Sequence, residues 1–202
     1  MRFREGLGDW ELVPAKADIA QWLLGHVRTS ESDYRIIGAE LGVKAGVHAA
    51  HLLEHEPQLH LHCVDAWTAW PDSAEYRKCG DPAGNASQEQ YDKWEADARW
   101  LLDEWPDRQT IWKMTTNEAA VVVPDGLDLV YIDADHTYQN RLSDIGQWYA
   151  KVRPGGVIAG GLLVSSFGGD CGRRALWDFI EQSGIYAAVE FGPSRTWMFK
   201  RK

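Results

Sequence analysis

The sequence is poor in cysteine, long apolar runs and clustered basic residues, and each shortage excludes a class of protein. Three cysteines in 202 residues, at positions that match no zinc or redox motif, exclude a disulfide-rich or zinc-finger scaffold. No uninterrupted apolar stretch approaches the roughly 20 residues of a membrane-spanning helix. Basic side chains number 21 against 30 acidic ones, and none cluster apart from the tail 200–202. We therefore expect neither a nucleic-acid nor a membrane partner.

The residues that are present indicate a folded α/β protein. Apolar residues make up 45% of the chain, and the length is enough for one domain over 1–202 with a real core. Short β-branched runs alternate with longer stretches of helical periodicity, a pattern typical of a parallel sheet with crossover helices. The first 13 residues are charged and mixed, with no apolar signal core, so we expect a cytoplasmic location.

The pattern predicts seven strands and six helices. The strands are 35–41, 59–65, 109–113, 127–132, one that begins at 157–159, 185–191 and 196–200. The helices are 14–27, 46–55, 88–104, 115–121, 137–152 and 171–183. Proline and glycine between 66 and 87 indicate an insertion loop, and the last two strands flank a turn at 192–194 as an antiparallel pair.

A glycine-bearing turn at 40–46 joins the first strand to the next helix. Glycines let the backbone approach a ligand closely, and the start of the helix offers free N–H groups. The spacing is Glu40-x-Gly42-x-x-x-Gly46, not the G-x-G-x-x-G of dinucleotide sites. A carboxylate suits a positively charged sulfonium ligand with a free amino group, whereas it would repel a pyrophosphate. By itself the turn is equally compatible with a plain strand-to-helix connection.

A second acidic residue helps to identify the ligand that the glycine turn binds. Asp65 closes the second strand, roughly 20–25 residues beyond the glycine turn, where an acid commonly binds ribose hydroxyls. A surface acid at a strand end is the other interpretation of Asp65. The coincidence of the turn and the acid favours a nucleoside-containing ligand.

Four segments carry a resemblance to a known family. They are Ala39-Glu40-Leu41-Gly42 with Gly46, Val64-Asp65-Ala66-Trp67, Tyr131-Ile132-Asp133-Ala134-Asp135-His136-Thr137-Tyr138, and Arg153-Pro154-Gly155-Gly156-Val157-Ile158-Ala159-Gly160. In this order the chain resembles class I S-adenosylmethionine-dependent methyltransferases, most of all the small bacterial sugar and macrolide O-methyltransferases, over about residues 35–183. The resemblance implies a Rossmann-like fold: a mostly parallel seven-stranded sheet, an antiparallel C-terminal hairpin and helices on both faces.

The resemblance also implies roles for individual residues. Glu40 and Gly42 would line the methionine end of S-adenosylmethionine, in the turn that Gly46 completes, and Asp133 would face the reacting methyl group. Asp65 would bind the ribose hydroxyls. On the adenosine side, Ala66 and Trp67 would flank the nucleoside, and Thr115 and Thr116 would lie near the adenine.

The chain departs from its relatives after the fifth strand. Many of them carry Gly-Asp-Asp-Tyr there, and the paired acids join the aspartate after the fourth strand to bind a divalent cation. This chain has Gly160-Gly161-Leu162-Leu163. Hard cations such as Mg²⁺ need oxygen ligands. With only Asp133 and Asp135 left, we predict no catalytic metal.

Two groups of side chains admit more than one interpretation. His136, after the fourth strand, is a candidate general base for a hydroxyl acceptor, or it shapes its loop by hydrogen bonding. His48, His51 and His55 have helical spacing, which permits a zinc site, but no complete ligand set accompanies them, so we predict solvated histidines. The tryptophans near the insertion, such as Trp67 and Trp70, form an aromatic lid or simply bind the following helix to the sheet.

The function predicted from the sequence is methyl transfer from S-adenosylmethionine to a small-molecule acceptor, at oxygen. No Asn/Asp-Pro-Pro-Tyr/Phe segment, typical of enzymes that methylate nucleic-acid amino groups, follows the fourth strand. A non-catalytic S-adenosylmethionine-binding domain is the alternative, and a nicotinamide dehydrogenase is disfavoured by the glycine spacing. A homodimer stays open.

Overall fold

The computed structural model describes residues 13–27, 34–72, 74–78, 81–161, 171–185 and 188–202. Its strands are β1 (Ile36–Leu41), β2 (Leu59–Asp65), β3 (Gln109–Lys113), β4 (Leu127–Ile132), β5 (Val152–Gly160), β6 (Glu190–Phe191) and β7 (Trp197–Lys200). Its helices are α1 (Val13–Val27), α2 (Val47–His55), α3 (Gln88–Leu102), α4 (Thr116–Val122), α5 (Tyr138–Lys151) and α6 (Cys171–Ser183). Within these ranges, no helix has both the length and the apolar character needed to cross a membrane.

The strands form one sheet in the order β3-β2-β1-β4-β5-β7-β6. The first five strands are parallel, whereas β7 runs antiparallel to both β5 and β6. The strand order reverses between β1 and β4, so the connections that leave these two strands go to opposite sides. Ligands of open α/β sheets bind in the crevice at such a point, outside the carboxyl ends of the strands. The predicted fold class is confirmed.

Two apolar layers cover the sheet, and β4 shows how its sequence serves both. All six of its residues are buried. Leu129 and Tyr131 pack in the layer that contains α1, α2 and α3, while Val130 and Ile132 pack in the layer that contains α5 and α6. Alternate side chains of a strand point to opposite faces, so a parallel strand covered on both sides is mostly apolar, and Asp128 is the one charged residue of β4.

The insertion and β5 differ in detail from the predicted elements. The insertion 66–87 contains two short 3-10 helices, Glu75–Lys78 and Ala83–Asn85, among its described residues. Strand β5 begins at Val152 instead of near 157, because an irregularity in its pairing with β4 accommodates the Pro-Gly-Gly segment within the strand. Gly155 and Gly156 also exchange backbone hydrogen bonds with Arg201.

Two other predicted boundaries were too long. The sixth strand, predicted as 185–191, is the two-residue β6, with 186–187 outside the described residues. The third helix ends at Leu102 rather than at 104, with Asp103 as its C-cap.

Candidate functional site

The glycine turn lies at the carboxyl ends of the neighbouring strands β1, β2 and β4, which backbone hydrogen bonds hold together there. The N–H of Gly42 donates to the carbonyl of Val64 at the end of β2, and the N–H of Asp133 donates to the carbonyl of Leu41. Gly42 has a φ of +86°, and a Cβ at this position would collide with the Asp133 carbonyl and lie 2.7 Å from the Cα of Ala134. Only glycine allows the ends of β1 and β4 to approach this closely.

Asp65 fixes this turn to the end of β2. Its Oδ2 accepts the N–H of Lys44 at 2.9 Å, and its Oδ1 accepts the N–H of Trp67 at 2.8 Å. Burial raises the pKa of the Asp65 carboxyl, and these two hydrogen bonds oppose the rise. A carboxylate has about four acceptor positions, so Asp65 can still accept from ligand hydroxyls.

Buried polar atoms without hydrogen-bond partners collect beside the turn. Glu40 and His48 are both buried, with 3.3 Å between Oε2 and Nδ1, and the His48 ring lies 4.3 Å from the Tyr131 ring. Within the described residues, Glu40 Oε2, both ring nitrogens of His48 and Asp133 Oδ1 have no hydrogen-bond partner. Each such atom costs about 1–3 kcal/mol. A ligand bearing an ammonium and a carboxylate would supply the missing partners, so these residues fit the methionine end of S-adenosylmethionine.

A lysine from the leading helix reaches Asp133. Lys16 Nζ lies 2.9 Å from Asp133 Oδ2 and 5.9 Å from the centre of the Tyr131 ring. Burial by itself raises the pKa of the Asp133 carboxyl, but the Lys16 ammonium outweighs it and holds this pKa well below its usual range. Asp133 is therefore a carboxylate whose negative charge is already compensated by an ammonium.

The described residues around Asp133 form no group of three candidate metal ligands. Asp135 accepts from the N–H of Thr137 and from the Asn140 side chain, so each of its oxygens already holds one protein hydrogen bond. A Cβ on Gly161 would lie 3.0 Å from Asp133 Cγ and closer still to Oδ1, so a longer side chain here would have to displace the Asp133 carboxylate. Among the described residues, the one group of three or more His, Cys, Asp or Glu that could share a metal ion lies elsewhere.

His136 is held between two protein partners. Its Nδ1 contacts Nη2 of Arg141, and its Nε2 lies 3.2 Å from Asp81 Oδ2. A guanidinium only donates, so Nδ1 is the acceptor and the ring proton sits on Nε2, pointing at Asp81. These contacts account for the loop-shaping interpretation. The general-base role stays a prediction and would require Arg141 to release Nδ1, the ring nitrogen that carries the lone pair.

Arg141 and Asp81 tie the insertion to the sheet. Arg141 is fully buried and donates from Nη1 to the carbonyls of Ile132 and Gly161, at the ends of β4 and β5. Asp81, in the insertion, accepts from the Tyr76 hydroxyl at 2.8 Å as well as facing His136. Burial raises the pKa of Asp81, but these bonds outweigh it and lower the pKa overall. The insertion is thereby fixed beside the loop after β4.

The remaining predicted cofactor residues have structural contacts of their own. Trp67 is fully buried, and its indole N–H donates to the carbonyl of Lys44. Thr115 caps α4 through a reciprocal pair of bonds with Glu118, and the Thr116 hydroxyl donates to Asp144. Gly46 donates its N–H to Val43, and Ala66 is half-buried just beyond β2. Their predicted contacts with the cofactor stay predictions.

One prediction about the histidines is wrong. His48 and His51 are 2% and 5% exposed, not solvated, because seven of the nine residues of α2 are buried. Trp67 and Trp94 are buried in the layer with α1 to α3, and Trp70 packs on its edge, as expected of residues that bind the insertion and α3 to the sheet.

Sequence reasoning missed Lys16, Arg141 and Asp81. Lys16 meets a partner 117 residues away, and no local pattern reports such a pair. Arg141 sits in a helix of ordinary polarity. The capping role of Thr115 was readable, since Thr-x-x-Glu is the signature of a capping box.

A protein-family comparison decides the class of this site. The family model described as "Methyltransferase domain" matches residues 38–161, more than half of the chain. The chain belongs to this methyltransferase family. The matched region contains the glycine turn, Asp65, Asp133 and His136.

Solved structures share the fold at low sequence identity. The O-methyltransferase of Bacillus cereus, solved in complex with S-adenosylhomocysteine, is 16% identical with a TM-score of 0.62, covering 94% of this chain and 81% of its own. The O-methyltransferase NovP is 14% identical with a TM-score of 0.67, over 93% and 80%. The precorrin-6y C5,15-methyltransferase of Geobacter metallireducens is 13% identical with a TM-score of 0.61, over 100% and 94%. No curated protein matches the chain in sequence.

The methyltransferase family confirms three predictions. The chain is a transferase of the class I type, with the Rossmann-like fold and S-adenosylmethionine as its methyl donor. The acceptor, the methylated atom and the involvement of a metal are separate questions that the family does not decide.

Proposed function

We propose that this methyltransferase transfers a methyl group to oxygen on a small-molecule acceptor, without a tightly bound catalytic metal. The observation that carries the metal-free part is the Lys16–Asp133 ion pair of 2.9 Å. Where many relatives use a cation beside this aspartate, the Lys16 ammonium supplies the positive charge. Gly161, which has no side chain to act as a ligand, supports the same conclusion.

S-adenosylmethionine supplies the methyl group, and this chain's residues hold and orient it. Glu40 and His48 bind its methionine end, and Asp65 accepts from its ribose hydroxyls while keeping the turn in place. Asp133, paired with Lys16, lies at the end of β4 beside the reacting methyl group. Ala66, Thr115 and Thr116 complete the adenosine side, and the fully buried Trp67 supports the turn through its indole bond to the Lys44 carbonyl.

The acceptor binds against the described part of the insertion 66–87. The docking of Asp81 on His136 places the insertion beside the loop that follows β4. The net charge of −9 disfavours nucleic acid, which supports a small molecule. O-methyltransferases among the structural neighbours support oxygen as the methylated atom. The cytoplasmic location and the single-domain organisation stay predictions.

A turnover assay tests this proposal. EDTA-treated protein would be given S-adenosylmethionine and a panel of phenols, sugars and hydroxy acids, and release of S-adenosylhomocysteine would be measured with and without Mg²⁺. We expect turnover of at least one acceptor in EDTA and no stimulation by Mg²⁺. Activity that is lost in EDTA and restored by Mg²⁺ would contradict the metal-free part.

One observation favours a second candidate, a non-catalytic S-adenosylmethionine-binding domain. Both ring nitrogens of His136 already have protein partners, so the predicted base has no free lone pair in this conformation. Binding of S-adenosylhomocysteine without turnover of any acceptor would support this candidate.

A further inference from the structure

The last turn of α2 brings three metal-binding side chains together. His51, Glu54 and His55 are at positions i, i+3 and i+4, which share one face of a helix. Their donor atoms all lie within 4.8 Å of one another. In the described parts of the chain, no other group of three or more His, Cys, Asp or Glu comes this close.

His51 is buried without a hydrogen-bond partner. It is 5% exposed, and neither ring nitrogen makes a hydrogen bond within the described residues. Glu54 Oε2 is its nearest recorded acid partner, at 3.9 Å from Nδ1, which is beyond hydrogen-bond distance. A neutral imidazole carries one ring-nitrogen lone pair that is suited to a metal ion.

His55 has its ring proton on the nitrogen that faces the helix. Its Nδ1 lies 2.8 Å from the carbonyl oxygen of His51, and since a carbonyl only accepts, Nδ1 is the donor. The lone pair is therefore on Nε2, which faces the Gln21 amide of α1 at 3.3 Å. A metal-bound histidine is usually oriented in this way, with its other N–H on a backbone carbonyl or a carboxylate.

We propose that His51, Glu54 and His55 bind a zinc-type transition-metal ion, with water in the fourth position. Two imidazoles and one carboxylate are an established ligand set for Zn²⁺, whereas Mg²⁺ prefers oxygen ligands. Glu54, whose side chain is 37% exposed, leaves the site open to ions from solvent. Binding would require the Glu54 and His55 side chains to rotate, so that their donor atoms come closer together than the 4.8 Å limit within which they now lie.

This site lies near the amino ends of the strands, opposite to the carboxyl ends where the cofactor is proposed to bind. Helix α2 begins at the carboxyl ends of the strands and ends near their amino ends, where Arg108 donates to the carbonyls of Leu53 and Glu56. The ion would hold the last turn of α2 where Gln21 of α1 meets it. Its role is structural, and it does not depend on the proposed catalytic function.

Zinc titration of EDTA-stripped protein tests the site. By competition with a chromophoric chelator, we expect one Zn²⁺ per chain and a higher melting temperature with Zn²⁺ than with Mg²⁺. His51→Ala and His55→Ala should each weaken binding at least tenfold, and Glu54→Gln should weaken it less. His26→Ala is the matched control. His26 follows Gln21 by five residues and so lies about 140° further around α1 than the residue that faces the site, and this variant should bind Zn²⁺ like the wild type.

A spectroscopic readout separates a built site from chance binding by histidine. Co²⁺ should give visible d–d absorption typical of tetrahedral coordination in the wild type, and His55→Ala should lose it. His55 is half-buried and Glu54 exposed, so these variants should fold even where His51→Ala does not. Absence of stoichiometric Zn²⁺ binding, or binding unchanged in both His55→Ala and Glu54→Gln, would overturn the proposal.

Discussion

Replacing Lys16 with Met should destabilise the protein by about 3 kcal/mol. The change keeps most of the apolar stem but removes the ammonium, so Asp133 is left as an unpaired carboxylate. At an N–O distance of 2.9 Å and an effective dielectric constant of about 20, the direct attraction is about 6 kcal/mol. Breaking a buried pair from one side typically costs about 3–5 kcal/mol. The side chains are 23% and 15% exposed, which places the expected loss at the lower end.

Urea unfolding of the wild type and three variants at neutral pH measures this loss. The double variant Lys16→Met with Asp133→Asn should recover most of the stability, because no charge is then left unpaired. Lys93→Met is the matched control: Lys93 pairs with Asp97 on an exposed face of α3, and its loss should cost about 0.5 kcal/mol or less.

The stability lost in Lys16→Met should depend on pH. The pKa of Asp133 is depressed in the folded protein, so its contribution is present above the unfolded pKa of about 4 and is lost as the pH falls below it. The difference between the wild type and Lys16→Met should therefore shrink below about pH 4. A Lys16→Met loss no larger than that of Lys93→Met, or a double variant no more stable than the single, would refute the reasoning.

Three further predictions concern stability. Burial raises the pKa of Asp144 to about 6, so the folded state gains stability as the pH falls from 7 towards 4. Asp144→Asn should therefore be more stable than the wild type by about 2–3 kcal/mol at pH 8 and equal to it near pH 4. Identical melting profiles of the two proteins across this range would contradict the prediction. Asp128→Ala should cost about 3 kcal/mol in urea unfolding, since this buried carboxylate accepts three hydrogen bonds; a loss below 1 kcal/mol would be inconsistent with them. Gly161→Ala should lower the melting temperature, because the added Cβ would meet Asp133. Gly25→Ala in α1 should raise the melting temperature, because Gly25 has open space around it and alanine favours a helix. The opposite order of melting temperatures would show that the end of β5 can move.

The sheet and the cofactor turn were predictable because their signals are local. Buried parallel strands such as β4 are mostly apolar, with five apolar residues in six positions, and the spacing from Gly42 to Asp65 reflects one strand-helix-strand unit. The boundaries of β5 were not, because a Pro-Gly-Gly segment normally ends an element. Here the segment lies within β5, where the pairing with β4 shifts its register.

The charge environment of the site was not predictable, because it depends on contacts between distant segments. The pattern of helix 14–27 shows an apolar face but not that Lys16 meets Asp133. The histidines of α2 were misjudged for a related reason. Spacing showed that they share a face, whereas the burial of nearly the whole helix between α1 and the sheet decides that His48 and His51 lie in the interior.

The affinity for S-adenosylhomocysteine, measured by calorimetry on the wild type and on Asp65→Asn, tests the central claim most directly. The wild type should bind one ligand per chain. Asp65→Asn should bind about tenfold more weakly, because it loses the charge of the carboxylate that accepts from the ribose hydroxyls. A wild type that binds no S-adenosylhomocysteine, or a variant that binds it equally well, would contradict the assignment of the cofactor to this turn.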